Sequence, residues 1–172
     1  MATTYTLISS VTVGSGGAAN IDFTGIPSTY TDLLVKYSIR DSNNSISQNI
    51  NLTFNNAGGT AYSERLLYGS GSAAQSFSSS SAANINFQYA TGVAATASTF
   101  SNGEIYIPNY AGSTAKSVSV DSVVENNASG TAMGLNAGLS SNTAAITSVK
   151  LASPSGTFQQ YSTAYLYGIS NA

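Results

Sequence analysis

The feature that most constrains this chain is a polarity pattern of period two. Leu33, Val35, Tyr37 and Ile39 alternate with Leu34, Lys36, Ser38 and Arg40. Successive side chains of a strand point to opposite faces, so this is the pattern of a half-buried β-strand. Ile50, Leu52 and Phe54 alternate with Asn49, Asn51 and Thr53, and Ile85, Phe87 and Tyr89 with Asn84, Asn86 and Gln88. Val118, Val120, Ser122 and Val124 repeat the pattern, as do Tyr161, Thr163, Tyr165, Tyr167 and Ile169. Met133, Leu135, Ala137 and Leu139 alternate with small residues, two of them glycines. Further strands are predicted at 5–13, 20–23, 61–68, 103–107 and 146–152.

Turn residues separate these segments. Gly14-Ser15-Gly16-Gly17 predicts a hairpin turn between the first two strands, and Asn55-Asn56-Ala57-Gly58-Gly59 predicts another. Pro27, Pro108 and Pro154 fall at strand ends or in turns, where a missing N–H costs least. Ser, Thr, Asn and Gly fill the gaps and are poor helix formers. The sequence admits one short helical turn, at 26–31. About ten short strands in one domain, 1–172, predict an all-β fold: an antiparallel β-sandwich, jelly-roll-like rather than a seven-stranded immunoglobulin-type domain. No internal repeat points to a solenoid or propeller.

Composition narrows the function. Of 172 residues only 7% are charged, with a net charge of −2, against about 25% charged in an ordinary soluble domain. The five bases, Lys36, Arg40, Arg65, Lys116 and Lys150, are scattered, so no basic field invites nucleic acid. Hydrophobic residues are 42% of the chain, too many for a disordered segment of low net charge. No apolar run approaches the roughly 20 residues of a membrane-spanning helix, and the first residues lack the basic and apolar regions of a secretory signal. Neither membrane nor nucleic acid is an expected partner.

Cys and His are absent. That removes thiolate nucleophiles, disulfides, the commonest general base and the commonest transition-metal ligands. The carboxylates are Asp22, Asp32, Asp41, Glu64, Glu104, Asp121 and Glu125. Glycoside hydrolysis needs two of them facing one cleft. Asp121 and Glu125 share a strand face but lie far apart along it, and Glu64 points opposite to Arg65. The expected role of these groups is surface charge plus one or two buried ion pairs. Asp41-Ser42-Asn43-Asn44-Ser45 is the nearest approach to a calcium loop, but it has one carboxylate and lacks the Gly and distal Glu of an EF-hand. A β-turn closed by side-chain-to-backbone hydrogen bonds explains it more simply. No catalytic residue, cofactor or metal site is therefore predicted, and no enzyme.

Three Asn-X-Ser/Thr sequons, at Asn43, Asn51 and Asn127, are expected by chance in a chain so rich in Asn and Ser. Eleven Tyr, six Phe and no Trp fit equally an interface residue and a strong strand former. Tyr62, Tyr68, Tyr106, Tyr110, Tyr161, Tyr165 and Tyr167 form that pool. Two stretches, 69–83 and 92–98, are low in complexity. They read as exposed flexible loops, or as loops that order against a neighbouring subunit, with Phe77 and Phe100 as apolar points inside polar surroundings.

Four segments carry a family resemblance. They are Tyr5-Thr6-Leu7-Ile8-Ser9-Ser10-Val11-Thr12-Val13-Gly14, Phe23-Thr24-Gly25-Ile26-Pro27 leading into Tyr30-Thr31-Asp32-Leu33, Ile105-Tyr106-Ile107-Pro108-Asn109-Tyr110, and the ending Tyr161-Ser162-Thr163-Ala164-Tyr165-Leu166-Tyr167-Gly168-Ile169. Together they resemble small jelly-roll virion structural proteins of tailed bacteriophages, cyanophages included. Such proteins decorate capsids or form fibres, and no catalytic or ligand residue comes with them. The expectation is a capsid decoration (cement) protein: a homotrimer on the outer surface of the virion, bound to the major capsid protein. The alternative is a receptor-binding module of a tail or head fibre, with loops such as 69–83 reading a host surface glycan.

Overall fold

The alternating segments form antiparallel strands in two facing sheets. The structure, a computed structural model, describes residues 4–127 and 131–170. Within them the strands are β1 (Tyr5–Thr12), β2 (Asn20–Thr24), β3 (Asp32–Ile39), β4 (Ser47–Phe54), β5 (Tyr62–Gly69) and β6 (Ala74–Ala82). They continue as β7 (Ile85–Thr91), β8 (Ser101–Ile107), β9 (Lys116–Val124), β10 (Ala132–Ser140), β11 (Ser148–Ala152) and β12 (Thr163–Ile169). An eight-stranded sheet runs β1-β12-β3-β8-β9-β10-β5-β6, and a four-stranded sheet runs β2-β11-β4-β7. The fold is an all-β sandwich, as expected. Twelve strands rather than about ten are present among the described residues.

One core lies between the sheets. Leu33, Val35, Tyr37 and Ile39 of β3 face it from the long sheet with Ile105, Ile107, Val118, Val120 and Leu166. Ile21, Phe23, Ile50, Leu52, Phe54, Ile85, Phe87, Val149 and Leu151 face it from the short one. Burial of each such aliphatic or aromatic side chain contributes about 1.5–3 kcal/mol. The two predicted hairpins are turns of a different kind. Gly17 N–H donates to Gly14 O (3.0 Å), but β1 pairs with β12 and β2 with β11, so this turn carries the chain from one sheet to the other. Asn55 and Asn56 both adopt φ of 52° and Ala57 N–H donates to Phe54 O (2.8 Å), yet β4 and β5 also lie in different sheets. Turn chemistry dictates a reversal, and the pairing partner is chosen by packing. The helical turn admitted at 26–31 is irregular chain. There Ile26 N–H donates to Thr147 O (3.0 Å) and Thr31 N–H to Ile169 O (2.8 Å), so the segment is tied to distant chain.

Stretch 69–83 is not a loop. It contains β6, the outermost strand of the long sheet beyond β5. Serine has no strong strand preference, so ladder hydrogen bonds rather than side-chain packing place it there. Stretch 92–98 is a turn region, held by the buried Arg40 guanidinium. It donates to Ala95 O (3.3 Å), Thr96 O (3.0 Å) and Thr99 O (2.7 Å).

Candidate interaction surface

Each strand of the long sheet sends one parity of side chains inward and the other outward. On β3, β8 and β9 the apolar parity goes inward. On β10 the order is reversed, and on β12 apolar side chains go both ways. β10 turns Gly134, Asn136, Gly138 and Ser140 inward and leaves Met133, Leu135 and Leu139 outside, at 60%, 58% and 40% exposed. β12 turns Ala164, Leu166 and Gly168 inward and carries Tyr165 and Tyr167 on its outer parity.

Space is the cause. The short sheet comes so close to β10 that a Cβ on Gly138 would lie 2.7 Å from Ile85 Cδ1 and 3.0 Å from Val118 Cγ2. On β12 the ring of Tyr30 packs directly onto Gly168, leaving no room for a side chain. Small residues are needed inside at Gly134, Gly138 and Gly168, so on β10 the large ones face out.

The strand register gathers these side chains. Leu135 stands directly opposite Leu67 of β5, itself 55% exposed, on one side and Asp121 of β9 on the other. Leu7 of β1 stands opposite Tyr167. Two adjoining shallow grooves follow. The first, about 490 Å³, is lined by Arg65, Leu67, Tyr106, Asp121 and Leu135. The second, about 450 Å³, is lined by Tyr5, Leu34, Lys36, Tyr106 and Tyr167. This face also carries charge, at Asp32, Lys36, Arg65, Glu104 and Asp121, with one ion pair among them. Lys36 Nζ lies 2.9 Å from Glu104 Oε2, and that carboxylate raises the Lys36 pKa. The Tyr106 hydroxyl donates to Asp32 Oδ2 (2.8 Å), which fixes its ring and makes it a weaker acid. Asp32 Oδ1 accepts from Asn109 N–H (2.8 Å).

The short sheet's outer face is different. It carries Asp22, Lys150, Asn49, Asn51, Thr53 and Asn86. Lys150 Nζ lies 3.7 Å from Asp22 Oδ1, and Asn86 Nδ2 donates to Asn51 Oδ1 (3.1 Å). None of the large exposed apolar side chains among the described residues lies on this sheet.

The buried charges are not ion pairs. The two described ion pairs, Lys36–Glu104 and Lys150–Asp22, are at the surface. Arg40, Asp41, Glu64 and Lys116 are buried and held by neutral groups instead. Lys116 Nζ donates to Gly112 O (2.6 Å), to Thr114 O and to Thr143 O (3.4 Å), and burial lowers its pKa. Asp41 Oδ1 accepts from Asn43 N–H (2.7 Å), the side-chain-closed turn expected of this segment. Glu64 caps the open edge of the short sheet: its Oε2 accepts from Asn86 N–H (2.6 Å), while Asn136 Nδ2 donates to Asn86 O (3.3 Å). Two side chains of the long sheet thus replace a missing neighbour of β7. Burial raises the Glu64 pKa, and the hydrogen bonds from Asn86 and Asn136 offset part of that rise. Turn carbonyls and amides do here what counter-charges were expected to do.

The tyrosine pool divides. Tyr62 and Tyr110 are core residues: Phe54 N–H donates to the Tyr62 hydroxyl (2.9 Å), and the Tyr110 hydroxyl donates to Pro27 O. Tyr68 packs edge-on against Tyr89 at 6.1 Å, and burial pushes the Tyr89 hydroxyl up to about 12. Tyr106, Tyr165 and Tyr167 belong to the outer face of the long sheet, and Tyr161 is exposed just before β12. Among the described residues no group of three or more Asp or Glu could hold a metal ion. The sequon beginning at Asn127 runs into 128–129, outside the described residues. No known protein family and no curated protein matches the chain.

Proposed function

We propose that the chain is a non-enzymatic structural module of a tailed-phage virion, a capsid decoration protein that docks the outer face of its long sheet onto the major capsid protein. The observation that carries this reading is the outer parity of β10 and β12, which places Met133, Leu135, Leu139 and Tyr165 on one face, beside the Lys36–Glu104 ion pair. Contiguous exposed apolar surface on a soluble chain marks an interaction site. Leucine, methionine and tyrosine supply anchors with little charge to desolvate.

The strand order supports the same reading. Without the inserted strands β5, β6, β9 and β10, the remainder pair as β1-β12-β3-β8 facing β2-β11-β4-β7. This is the order of two interleaved Greek keys, and we read it as a jelly roll. The inserts widen one sheet only, the one that carries the apolar face. Cementing then works by mass action. A protein that binds the assembled shell and not its separated subunits adds its binding free energy to the stability of the shell.

The test uses whole particles. The protein is expected at a copy number near that of the major capsid protein, and heads stripped of it should release DNA at a lower temperature. Unchanged heat resistance after stripping would overturn the cementing role. A copy number far below that of the major capsid protein would place the module in a fibre instead.

A further inference from the structure

The sandwich has four open sheet edges, and three are defended in the ways that stop strands from pairing with other chains. β1 is broken by a register shift between Leu7 and Ser9. β2 is five residues long and carries Asp22, ion-paired to Lys150. β7 is covered at Asn86 by Glu64 and Asn136. β6 has no such defence over Ala74–Ser79. It runs nine residues, Ala74–Ala82, without a charge or a proline, and its one irregularity lies at the C-terminal end, where Ser81 adopts φ of 57°. Among the described residues one side chain, Arg65, reaches its backbone, at Ser79 O (3.2 Å).

We propose that β6 pairs with β6 of a second copy of this chain across a two-fold axis perpendicular to the sheet, a dimer in place of the homotrimer expected from the sequence. Such an axis keeps outer faces outer, so a residue can oppose only a residue of its own parity. β6 places Phe77 opposite Leu66 on the inner parity, while Ser76 and Ser78 stand opposite Leu67 and Arg65 on the outer one. Centred on its own aromatic, the strand sets Phe77 against Phe77 of the second copy, with Ser76 against Ser78 and Gln75 against Ser79. The self-pair turns an isolated exposed phenylalanine, 53% exposed, into a cross-strand aromatic contact. No like charges meet, because the strand has none. Phe77 also lines a cleft of about 360 Å³ with Glu64, Asn84 and Asn86, and the second copy closes its open side. A two-fold contact of this kind is self-limiting. It doubles the width of the apolar outer face while keeping both halves on one side. The pairing does not rest on the capsid reading, and its test needs no virion.

Sedimentation equilibrium of the full chain should give a concentration-dependent dimer. Phe77→Lys should raise its dissociation constant by more than about tenfold, since an aromatic pair is replaced by two facing charges. The exposed position predicts an unchanged melting temperature for the separated subunits. Because the chain has no cysteine, Phe77→Cys reports the register directly and should cross-link two chains under mild oxidation. Ser76→Cys should not, because its symmetry mate lies diagonally, beyond the roughly 7 Å span of a disulfide. A monomer at every concentration, a trimer, or a dimer in which Phe77→Cys stays uncross-linked would each overturn the proposal.

Discussion

The two outer faces of the sandwich are built from the same alternation and end in opposite chemistry. The short sheet ends in Asn49, Asn51, Thr53, Asp22 and Lys150, and the long sheet in Leu67, Met133, Leu135, Tyr106 and Tyr165. Both sheets bury comparable aliphatic side chains on their inner faces, so the demands of the core do not explain the difference. The long sheet's outer face follows from β10, whose inner glycines leave no room for side chains, and from β12, where Gly168 meets the Tyr30 ring. What they expel from the core becomes surface, and that surface is where a partner with apolar side chains would fit.

The largest expected effect breaks this asymmetry. Leu135→Lys places a charge on β10 of the long face, between Leu67 and Asp121. Binding to purified capsids should weaken roughly a hundredfold, the scale of losing one central anchor, with the melting temperature unchanged. Thr53→Lys on the short face should leave both unchanged. Equal losses from the two variants, measured by sedimentation with capsids, would show that the faces do not differ in function.

The next effect concerns how the two sheets are joined. Glu64→Ala removes the acceptor of Asn86 N–H and leaves a buried edge donor unsatisfied, at a cost of about 1–3 kcal/mol in urea unfolding. Glu64→Gln keeps an acceptor there and removes the charge. Burial holds the Glu64 pKa above the free value of 4.5, so the folded chain binds the proton more tightly than the unfolded one. This group therefore makes stability fall as pH rises from 4.5 through the raised value. The stability difference between Glu64→Gln and the parent should grow in the variant's favour across that window and be constant on either side. A difference that shrinks as pH rises would mean that the hydrogen bonds, not burial, govern Glu64.

Much of the fold was legible because strand alternation survives a single sequence. β3, β4, β7 and β9 lie where their apolar residues repeat, with that parity inward. Two things were not legible. β6 escaped because a serine run has neither apolar periodicity nor turn geometry, and only its β5 partner makes it a strand. The direction of β10 escaped because alternation distinguishes two faces without saying which is inside. Its glycines held the answer: Gly134 and Gly138 share one parity, the one pressed against Leu66, Ile85 and Val118. Sheet membership was illegible for a further reason. The turns at 14–17 and 55–59 have hairpin chemistry, but β1 pairs with β12, more than a hundred residues away, and β4 with β11, about a hundred away.

The smallest expected effect compares the one ion pair on each face. Lys36–Glu104 lies at 2.9 Å on the long sheet and Lys150–Asp22 at 3.7 Å on the short one. Both are largely solvated, so double-mutant cycles with alanine should give about 0.2–1 kcal/mol for the first and less for the second. Both should shrink toward zero in molar salt. The raised Lys36 pKa means that its contribution is present below the free lysine value of 10.5 and is lost as pH rises through the folded value. The comparison has a consequence for docking. If the long face binds through apolar anchors, breaking Lys36–Glu104 should change capsid affinity less than Leu135→Lys does, and the affinity should depend only weakly on salt. A steep salt dependence would instead make the charges of that face its contacts and its leucines mere neighbours.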